Sequence, residues 1–367
     1  MKRMKFVMIG GFLGAGKTTA IARLAKHYTD QGLKVGVVTN DQAYDLVDTH
    51  SLRAQGFRVG EVPGACFCCK FNDLIDTANT LQQDEIPDVI IAEPVGSCTD
   101  LVATVIEPLR NLHGDQYELA PLAVLLKPEH GQKILRGQSG LGFSPKAAYI
   151  FLKQIEEADV IVINKIDKLS PAERDELTSL LQSRWPGKQV LGVSARDGEA
   201  FADLVDAVSA TGEQHTRLME VDYDIYAEGE AELGWLNCQA SFAKTAGELP
   251  LDSVLLSLVN QLRDALVAQG AEPAHLKVLG QIGEETGIAN LVGSDAGVEL
   301  SLASHAAAPK LELIVNARVA MAPEDLEQVV RDVVEALGSE LDATTTIHGM
   351  QRFRPGRPVP THRVTNA

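Results

Sequence analysis

A glycine-rich segment near the N-terminus has the residue types that bind a phosphate chain. Gly11-Phe12-Leu13-Gly14-Ala15-Gly16-Lys17-Thr18 fits the pattern G-x-x-x-x-G-K-[ST], with an apolar run before it and a helical pattern after it. In such a loop backbone N–H groups surround a phosphate, the lysine reaches the β- and γ-phosphate oxygens, and the threonine hydroxyl ligates Mg²⁺. The spacing predicts a nucleoside triphosphate site, whose binding residues are Gly11, Gly14, Ala15, Gly16, Lys17, Thr18 and Thr19.

Two later loops indicate which base is bound. Asn164-Lys165-Ile166-Asp167 ends one apolar run, and Ser194-Ala195 ends the next. The carboxyl ends of parallel strands meet at one sheet edge, so both loops are expected beside the phosphate loop. The Asp167 carboxylate can accept hydrogen bonds from N1–H and the 2-amino group of guanine, the Lys165 stem can cover the ring, and the Ala195 N–H can meet O6. This pattern favours GTP and GDP over adenine nucleotides.

Two acidic residues at strand ends are candidates for chemistry at the γ-phosphate. Glu93 follows an apolar run, where its carboxylate could hold Mg²⁺ or its water shell, and the N–H of Gly96 could contact the γ-phosphate. Asp41 ends the second apolar run and is a candidate for Mg²⁺ or the attacking water, although a helix-capping role explains it nearly as well. Together with Lys17, these three residues are the predicted catalytic set.

A cluster of cysteines has the chemistry of a soft metal site. Cys66-Phe67-Cys68-Cys69 brings three thiols within four positions, and such ligands suit Zn²⁺, Cu⁺ or another thiophilic ion. Closed structural zinc sites usually have four ligands, so a cluster that is short of ligands suits metal transfer better. Cys98 and Cys238 stand alone in the sequence and are expected to be small buried hydrophobic residues.

The composition excludes several classes of protein. The 367 residues are 45% hydrophobic and 23% charged, which is typical of a soluble globular protein, and no apolar run is long enough to span a membrane. A net charge of −17 argues against a general nucleic-acid binder. The basic N-terminus leads into a strand and a glycine-rich turn and is not a signal peptide. Five cysteines without a disulfide framework predict a reduced, cytoplasmic protein.

The elements that must position these residues follow an alternating pattern as far as residue 215. Short runs rich in Val and Ile are separated by helical patterns, which predicts an α/β fold with a mostly parallel sheet covered by helices on both faces. Ser170-Pro171-Ala172-Glu173 has the residues of a helix-capping box. The predicted strands are residues 5–11, 34–40, 88–95, 120–126, 159–167 and 189–195.

The pattern changes after this first domain, 1–215. Residues 216–342 are predicted to form a smaller α+β domain, with strands at 221–226, 233–242, 276–282, 288–302 and 310–320 and helices at 251–267 and 323–337. Residues 343–367 hold four arginines, three prolines and no acidic residue, and we expect a basic arm or a partly disordered tail.

The combination of these motifs resembles the CobW-like family of P-loop GTPases, whose relatives include the nickel-insertion GTPases of hydrogenase and urease maturation. The resemblance covers roughly residues 5–215. It implies a slow, Mg²⁺-dependent GTPase whose nucleotide state controls metal binding at the cysteine motif. The sequence departs from the family pattern in the segment 40–48, which lacks a Gly-Glu pair, and at Lys127, where the family usually has Asp.

The predicted function is that of a GTP-hydrolysing chaperone that delivers Zn²⁺, Co²⁺ or a similar ion to a client metalloprotein or a cobalamin-related enzyme. The expected partners are that client and GTP, with a homodimer as a further candidate, and neither nucleic acid nor membrane is expected. The alternatives are a P-loop phosphotransferase and a non-catalytic GTP-regulated scaffold, both with structural thiols. The N-K-x-D motif weighs against a small-molecule kinase, and stoichiometric bound metal would separate a chaperone from both alternatives.

Overall fold

The computed structural model describes residues 3–42, 47–82, 85–137, 144–210, 218–291, 293 and 297–365. The chain forms two compact units. The first unit comprises Met1–Gln42, Gln55–Gly229 and Arg357–Ala367, and the second comprises Ala43–Ala54 and Glu230–Gly356. The domain boundary expected from composition, after residue 215, lies outside the described residues.

The first unit is built on a sheet of eight strands, in which β5 pairs with β1 beside the main order β3-β2-β4-β1-β6-β7-β8. All of these pairings are parallel. The central strands are buried along almost their whole length, as expected for a sheet covered on both faces, and the α/β prediction is confirmed. The strands are β1 Met4–Gly11, β2 Val35–Asp41, β3 Arg58–Pro63, β4 Val89–Glu93, β5 Tyr117–Leu119, β6 Ala123–Leu126, β7 Val160–Ile163 and β8 Gln189–Gly192.

The helices follow the predicted apolar periodicity in most places. Ser170 accepts a hydrogen bond from the Glu173 N–H, and the Glu173 side chain accepts one from the Ser170 N–H, so the predicted capping box is present. A π-helical turn, Val102–Ile106, leads into α4, and a 3₁₀ turn, Ile166–Lys168, precedes α7. The helices in chain order are α1 Lys17–Asp30, α2 Val47–Ala54, α3 Phe71–Thr80, α4 Glu107–His113, α5 Pro128–Leu135, α6 Pro145–Glu157, α7 Pro171–Arg184, α8 Phe201–Ser209, α9 Tyr223–Glu230, α10 Leu251–Ala268 and α11 Pro323–Glu340.

The second unit is an antiparallel sheet with helices packed on it, as predicted for an α+β domain. Its six-stranded sheet has the order β13-β12-β11-β15-β9-β16, and β10 pairs with β14 separately. Alternate residues of β9, β11 and β15 share one hydrophobic core with the apolar faces of α10 and α11. The strands are β9 Gly234–Ala243, β10 Leu249–Pro250, β11 Pro273–Ile282, β12 Glu285–Leu291, β13 Glu299–Leu302, β14 Ala307–Ala308, β15 Lys310–Val319 and β16 Thr344–Phe353.

The segment 288–302, predicted as one strand, contains the end of β12 and the whole of β13, and two further segments also differ from the sequence-based expectation. The segment 221–226, predicted as a strand, leads into helix α9, because the Asp222 carboxylate accepts hydrogen bonds from the backbone N–H groups of Asp224 and Ile225 and caps that helix. The basic tail is ordered in two parts. Its first part is strand β16, which pairs with β9 and packs Ile347 and Met350 against the core. Its second part belongs to the first unit.

Among the residues that the structure describes, no helix combines the length and the apolar character needed to cross a membrane.

Candidate functional site

The phosphate loop joins the end of β1 to the start of α1. Gly16 has φ 89°, and a Cβ there would lie 2.4 Å from Nδ2 of Asn164, so glycine is required. At Gly11, with φ 135°, a Cβ would lie 2.2 Å from the carbonyl oxygen of Leu125 on β6. Lys17 is the first residue of α1 and is largely buried. The loop therefore packs closely against the neighbouring strands. At its end, Lys17 and the N-terminus of α1 lie together.

Two oxygen ligands for a hard cation meet beside this loop. The Thr18 hydroxyl donates a hydrogen bond to Oε1 of Glu93 across 3.1 Å, which joins the start of α1 to the end of β4. Gly96, three residues later, lies so close to the loop that a Cβ on it would be 2.8 Å from the Leu13 side chain and 3.2 Å from the Leu13 backbone nitrogen. A hydroxyl and a carboxylate at this spacing match the oxygen ligands that Mg²⁺ prefers.

Asn164 connects the phosphate loop to the predicted guanine loops. Its Nδ2 donates to the carbonyl oxygen of Ala15 at 2.8 Å, and its Oδ1 accepts from the backbone N–H groups of Lys165 and Ala195 at 2.8 and 3.0 Å. The Ala195 N–H, predicted to meet guanine O6, is therefore already bonded to Asn164, and a base would have to share or replace that bond. Asp167 is exposed at the start of the 3₁₀ turn and is accessible to a ligand.

The residues predicted to bind nucleotide also include Lys165, Ser194 and Thr19. Lys165 adopts a left-handed conformation with φ 60°, and its Cε passes 3.7 Å from the position of a Cβ on Gly16. Ser194 is buried and bonds to Asp197, which fixes the turn that carries Ala195. Thr19 is exposed on α1.

Arg23 was not identified from the sequence. Its guanidinium donates to the carbonyl oxygens of Ala195 and Arg196 at 2.6 and 2.5 Å, so that α1 holds the Ser194-Ala195 loop in place. An arginine one and a half turns after the phosphate loop has no motif that would have marked it, because its partners lie more than 170 residues away.

The three motif thiols form a compact cluster in the turn before α3. The Sγ atoms of Cys66 and Cys68 are 2.9 Å apart, those of Cys66 and Cys69 are 3.4 Å apart, and those of Cys68 and Cys69 are 3.7 Å apart. Sulfurs around a tetrahedral zinc ion are separated by about 3.8 Å when each Zn–S bond is about 2.3 Å. Small side-chain rotations would therefore allow all three sulfurs to bind one ion. Soft thiol ligands at these distances fit a thiophilic metal ion.

The cluster holds its protons unequally. Hydrogen bonds from Cys68 and Cys69 lower the pKa of the Cys66 thiol, whereas its hydrogen bond with Cys66 raises the pKa of Cys68. The pKa of Cys69 is raised to about 11, mainly by the hydrogen bond to Cys66. Cys66 is thus the first to become a thiolate, and a metal ion must displace the remaining protons from its neighbours.

Asn40 positions the cysteine turn, a role that the sequence analysis did not assign. It is buried near the end of β2, where its Nδ2 donates to the carbonyl oxygens of Val62 and Ala65, both at 2.7 Å. Its Oδ1 accepts from the backbone N–H of Phe67, the residue between the first two thiols, at 2.8 Å. The adjacent Asp41, a predicted catalytic residue, accepts from the Gly64 N–H at 3.0 Å through its carbonyl oxygen. The end of β2 therefore supports the cysteine turn.

Cys98 is buried, as expected for a small hydrophobic residue. Its thiol is also one of the groups that lower the pKa of the Cys66 thiol. It lies two residues after Gly96, and Gln154 on α6 donates from Nε2 to the carbonyl oxygens of Gly96 and Cys98 at 3.0 and 2.8 Å. The sequence could not reveal this effect on Cys66 because it depends on which strands are neighbours. Cys238, in contrast, lies in the apolar core of the second unit as expected.

The last described residues of the chain cover the cysteine turn. The backbone N–H of Val359 donates to Sγ of Cys69 at 3.2 Å. The backbone N–H and the hydroxyl of Thr361 donate to the carbonyl oxygens of Cys68 and Cys69 at 2.8 and 2.9 Å. We call residues 357–365 the cover segment.

A buried carboxylate holds the cover segment in place. Nε of Arg363 lies 2.7 Å from Oδ2 of Asp100, whose side chain is only 1% exposed, and the Tyr223 hydroxyl donates to the same oxygen at 2.8 Å. Burial raises the pKa of Asp100, while the hydrogen bond from Arg363 opposes that rise. Asp100 itself lies four residues after Gly96, so the loop that follows β4 carries both Gly96 and the attachment point of the cover segment.

The segment 40–48, which departs from the family pattern, is described only in part, because residues 43–46 lie outside the described residues. Its last residue, Asp48, belongs to the second unit and forms an ion pair with Lys277. Lys127, at the end of β6, is buried, and its charge lowers the pKa of His130 in addition to the larger effect of burial.

Comparison with known proteins places this site in a family. Residues 5–191, just over half of the chain, match the family described as CobW/HypB/UreG, nucleotide-binding domain. The zinc chaperone YeiR of Escherichia coli K12 is 29% identical over 206 residues, which cover 54% of this chain and 57% of that protein. The urease accessory protein UreG of Metallosphaera sedula is 27% identical over 221 residues, covering 54% of this chain and 90% of that protein.

A match to one solved structure covers about half of the chain. HypB from Helicobacter pylori, crystallised in complex with nickel, aligns with a TM-score of 0.41 at 20% identity and covers 56% of this chain and 85% of that chain. The match to YeiR spans little more than half the length of that relative.

Proposed function

The chain belongs to the CobW/HypB/UreG family, and from this premise we propose that it is a GTP-hydrolysing metal chaperone. It binds and hydrolyses GTP in the first unit and uses the change of nucleotide to bind and release a transition-metal ion, Zn²⁺ in the first instance, for a client metalloprotein. One observation carries this proposal: a cluster of three buried or half-buried thiols follows β3, Glu93 ends β4, and only β2 lies between these two strands of the same sheet.

The nucleotide half of the function rests on the phosphate loop and the Asn164 loop. Lys17 and the N-terminus of α1 would neutralise the β- and γ-phosphates, and Asp167 would accept hydrogen bonds from guanine. Thr18 and Glu93 would hold Mg²⁺, whose charge stabilises the phosphate oxygens during transfer. Gly96 would donate its N–H to the γ-phosphate, and Asp41 would orient the attacking water.

The metal half of the function rests on Cys66, Cys68 and Cys69. The three sulfurs all lie within 4.8 Å of one another, and the pKa of Cys66 is lowered so that a thiolate is available as the first ligand. The name of the relative YeiR, a zinc chaperone, supports zinc as the cargo. A site with three protein thiols leaves a coordination position through which an ion can be passed on.

The nucleotide-binding residues and the cysteine turn are connected through neighbouring strands of the sheet. In the sheet, Thr39 of β2 pairs with Glu93 of β4, and Asn40, the next residue on β2, holds the cysteine turn. A change in the contacts of Glu93 or Gly96 with nucleotide is therefore one strand away from the thiols. By linkage, if GTP changes the affinity for metal by some factor, the metal changes the affinity for GTP by the same factor.

The test is to titrate Zn²⁺, and separately Co²⁺, into untagged protein loaded with GDP or with a non-hydrolysable GTP analogue. We expect one ion per chain and affinities that differ between the two nucleotide states by about 5- to 150-fold, the usual range of coupling. The titration is repeated with Cys68→Ser, which should lose most of the affinity. Equal affinities in both states, or no loss in Cys68→Ser, would contradict the chaperone function and favour a GTPase with structural thiols.

We further propose that the protein acts in the cytoplasm with a client metalloprotein. All five cysteines are free thiols, which suits a reducing compartment. A client that receives the ion must compete with thiolate ligands, so it is expected to present a pre-formed metal site. A homodimer is kept as a prediction, which sedimentation in each nucleotide state would test.

A further inference from the structure

The sequence of the cover segment explains how its backbone binds the cysteine turn. In Pro358-Val359-Pro360-Thr361, prolines, which have no N–H group, alternate with residues that have one. The N–H groups of Val359 and Thr361 both donate to the turn, to Sγ of Cys69 at 3.2 Å and to the carbonyl oxygen of Cys68 at 2.8 Å. The segment thus directs both of these backbone donors at the cysteine turn, and its prolines restrict the conformations it has when it is not bound there.

The thiols beneath the cover segment have little contact with solvent. Cys66 and Cys68 are 3% and 1% exposed, and Cys69 is partly exposed. The Thr361 hydroxyl donates to the carbonyl oxygen of Cys69 at 2.9 Å, which adds to the contacts over this turn. A hydrated metal ion can enter or leave such a site only when a group that covers the sulfurs moves.

The cover segment is able to move without disturbing the sheet. Residues 357–365 form neither a helix nor a strand, and they follow β16, so no strand pairing breaks when they leave the turn. Segments that are held by a few hydrogen bonds open at a lower free energy than the strands and helices of the core. Local opening of this segment therefore exposes the thiols while the rest of the first unit stays folded.

An ion pair with a buried carboxylate attaches the segment to the loop after β4. Nε of Arg363 lies 2.7 Å from Oδ2 of Asp100, which is 1% exposed, while the Arg363 side chain is 31% exposed. Asp100 has φ 64°, an uncommon conformation for a residue with a side chain, and such conformations are concentrated at functional positions. The N–H of the next residue, Val364, donates to the carbonyl oxygen of Ala103 at 2.9 Å. We call the pair of Arg363 and Asp100 the latch.

We propose that the cover segment is a gate on the thiol site and that the latch sets how often this gate opens. The inference rests on the metal-chaperone function proposed above and deepens it, because it names the step that controls metal entry and release. The segment closes over the site with and without an ion, so a weaker latch increases the open fraction of both forms alike. The rates of entry and release then rise by the same factor, and the affinity, which is their ratio, stays the same.

The test measures both rates with Co²⁺ on the full chain loaded with GDP. Stopped-flow absorption follows Co²⁺ binding to the metal-free protein, and transfer to EDTA, extrapolated to zero EDTA, gives the release rate. Arg363→Ala should raise both rates by about tenfold and change the dissociation constant by less than about twofold, because it removes a charge-assisted hydrogen bond that only the closed segment makes. Arg363→Lys keeps the charge without the planar guanidinium and should give intermediate rates.

The matched control is Arg352→Ala. Arg352 is also a partly exposed arginine paired with a carboxylate, that of Glu327, but it lies in the second unit, outside the cover segment. Its replacement should leave both rates at the wild-type values.

Thr361→Val tests the gate without changing the latch. It removes the hydroxyl that bonds to the carbonyl oxygen of Cys69 and keeps the shape of an exposed side chain, so the fold should be unaffected. Both rates should rise by about threefold, since one neutral hydrogen bond of the closed segment is lost. Circular dichroism checks that each variant is folded.

The outcomes separate this inference from the function on which it rests. If the wild-type protein binds no Co²⁺ or Zn²⁺, the chaperone function fails, and the inference fails with it. If the wild type binds an ion and both Arg363→Ala and Thr361→Val exchange it at the wild-type rates, the chaperone function stands and the gate is refuted. Faster release with unchanged entry would also refute the gate, because the segment would then support the bound ligands and not control access to them.

Discussion

Oδ1 of Asn40 accepts a hydrogen bond from the backbone N–H of Phe67 at 2.8 Å, and this bond ties the end of a central strand to the middle of the cysteine motif. Phe67 is fully buried, so the bond is shielded from water and the turn cannot relax into solvent. The same amide donates to the carbonyl oxygens of Val62 and Ala65, and Asn40 thus satisfies three backbone groups of one turn.

Asn40→Ala should therefore weaken metal binding without touching a thiol. Each buried group left without a partner costs about 1–3 kcal/mol, and loss of a residue that orients metal ligands lowers metal affinity by about 10- to 100-fold. Zn²⁺ affinity measured by competition with a chelator tests this. Asn79→Ala, which changes an exposed asparagine on α3, is the control. Unchanged zinc affinity in a folded Asn40→Ala protein would show that the thiols bind the ion without support from Asn40.

Lys17→Ala should abolish GTP binding or hydrolysis and leave the fold intact. Lys17 lies at the N-terminus of α1, where its charge opposes that of the phosphates, and its loss removes most of the neutralisation at the γ-phosphate. Phosphate release and nucleotide binding are the measurements. Lys26→Ala removes an exposed lysine that pairs with Asp30 on the same helix, and it should hydrolyse GTP at the wild-type rate. GTP hydrolysis at the wild-type rate in Lys17→Ala would show that this segment is not the phosphate-binding loop.

GTP should bind more tightly than ATP, and Asp167→Asn should remove most of this preference. A site built to accept hydrogen bonds from the guanine N–H groups leaves a polar group unpaired with adenine, at about 1–3 kcal/mol for each group. The ratio of GTP to ATP dissociation constants measures the effect. Asp175→Asn, at an exposed position on α7, should keep the wild-type ratio. Equal affinities of the wild type for both nucleotides would refute the reading of the Asn164 loop.

The buried carboxyl group of Glu157 should make the protein less stable as pH rises. Burial raises its pKa to about 8, and the neighbouring Asp100 carboxylate adds to the rise. In the unfolded chain a glutamate has a pKa of about 4.3, so between these two values the folded protein keeps a proton that the unfolded chain has released. The free energy of unfolding therefore falls as pH increases through this window and becomes level above about pH 8.

Glu157→Gln removes this titration and should flatten the decline of the melting temperature between pH 5 and pH 8, an interval of about the width set by the two pKa values. Glu156→Gln, at the exposed neighbouring position, should keep the wild-type slope. Parallel curves for wild type and Glu157→Gln would mean that the carboxyl group is ionised in the folded protein.

The sequence predicted those parts of the molecule that depend on local pattern. The phosphate loop, the parallel sheet with its central strands and the capping box at Ser170 each follow from residues that are close together in the chain. The same holds for the three clustered thiols, because a turn of four residues brings them together whatever the rest of the fold does.

The sequence could not predict contacts that depend on the order of the strands in the sheet. Asn40 reaches Phe67 only because β2 and β3 end at the same edge of the sheet. Strand β16 was missed because its few apolar residues, Ile347, Met350 and Phe353, stand among polar ones, and such a pattern is a weak signal. Nothing in its composition indicated that the basic segment after it would return to the first unit.

The cover segment is synthesised long after the thiols that it covers. Val359 contacts Cys69 across 290 positions of the chain, so a ribosome that adds about 5–20 residues per second delivers this contact about 15–60 s after the thiols. The whole second unit from Glu230 onward is synthesised in that interval. During it, the sulfurs meet the ions and oxidants of their surroundings without Val359 and Thr361 over them. The proposed thiol site is thus more accessible to solvent during synthesis than after Val359 and Thr361 have folded onto it.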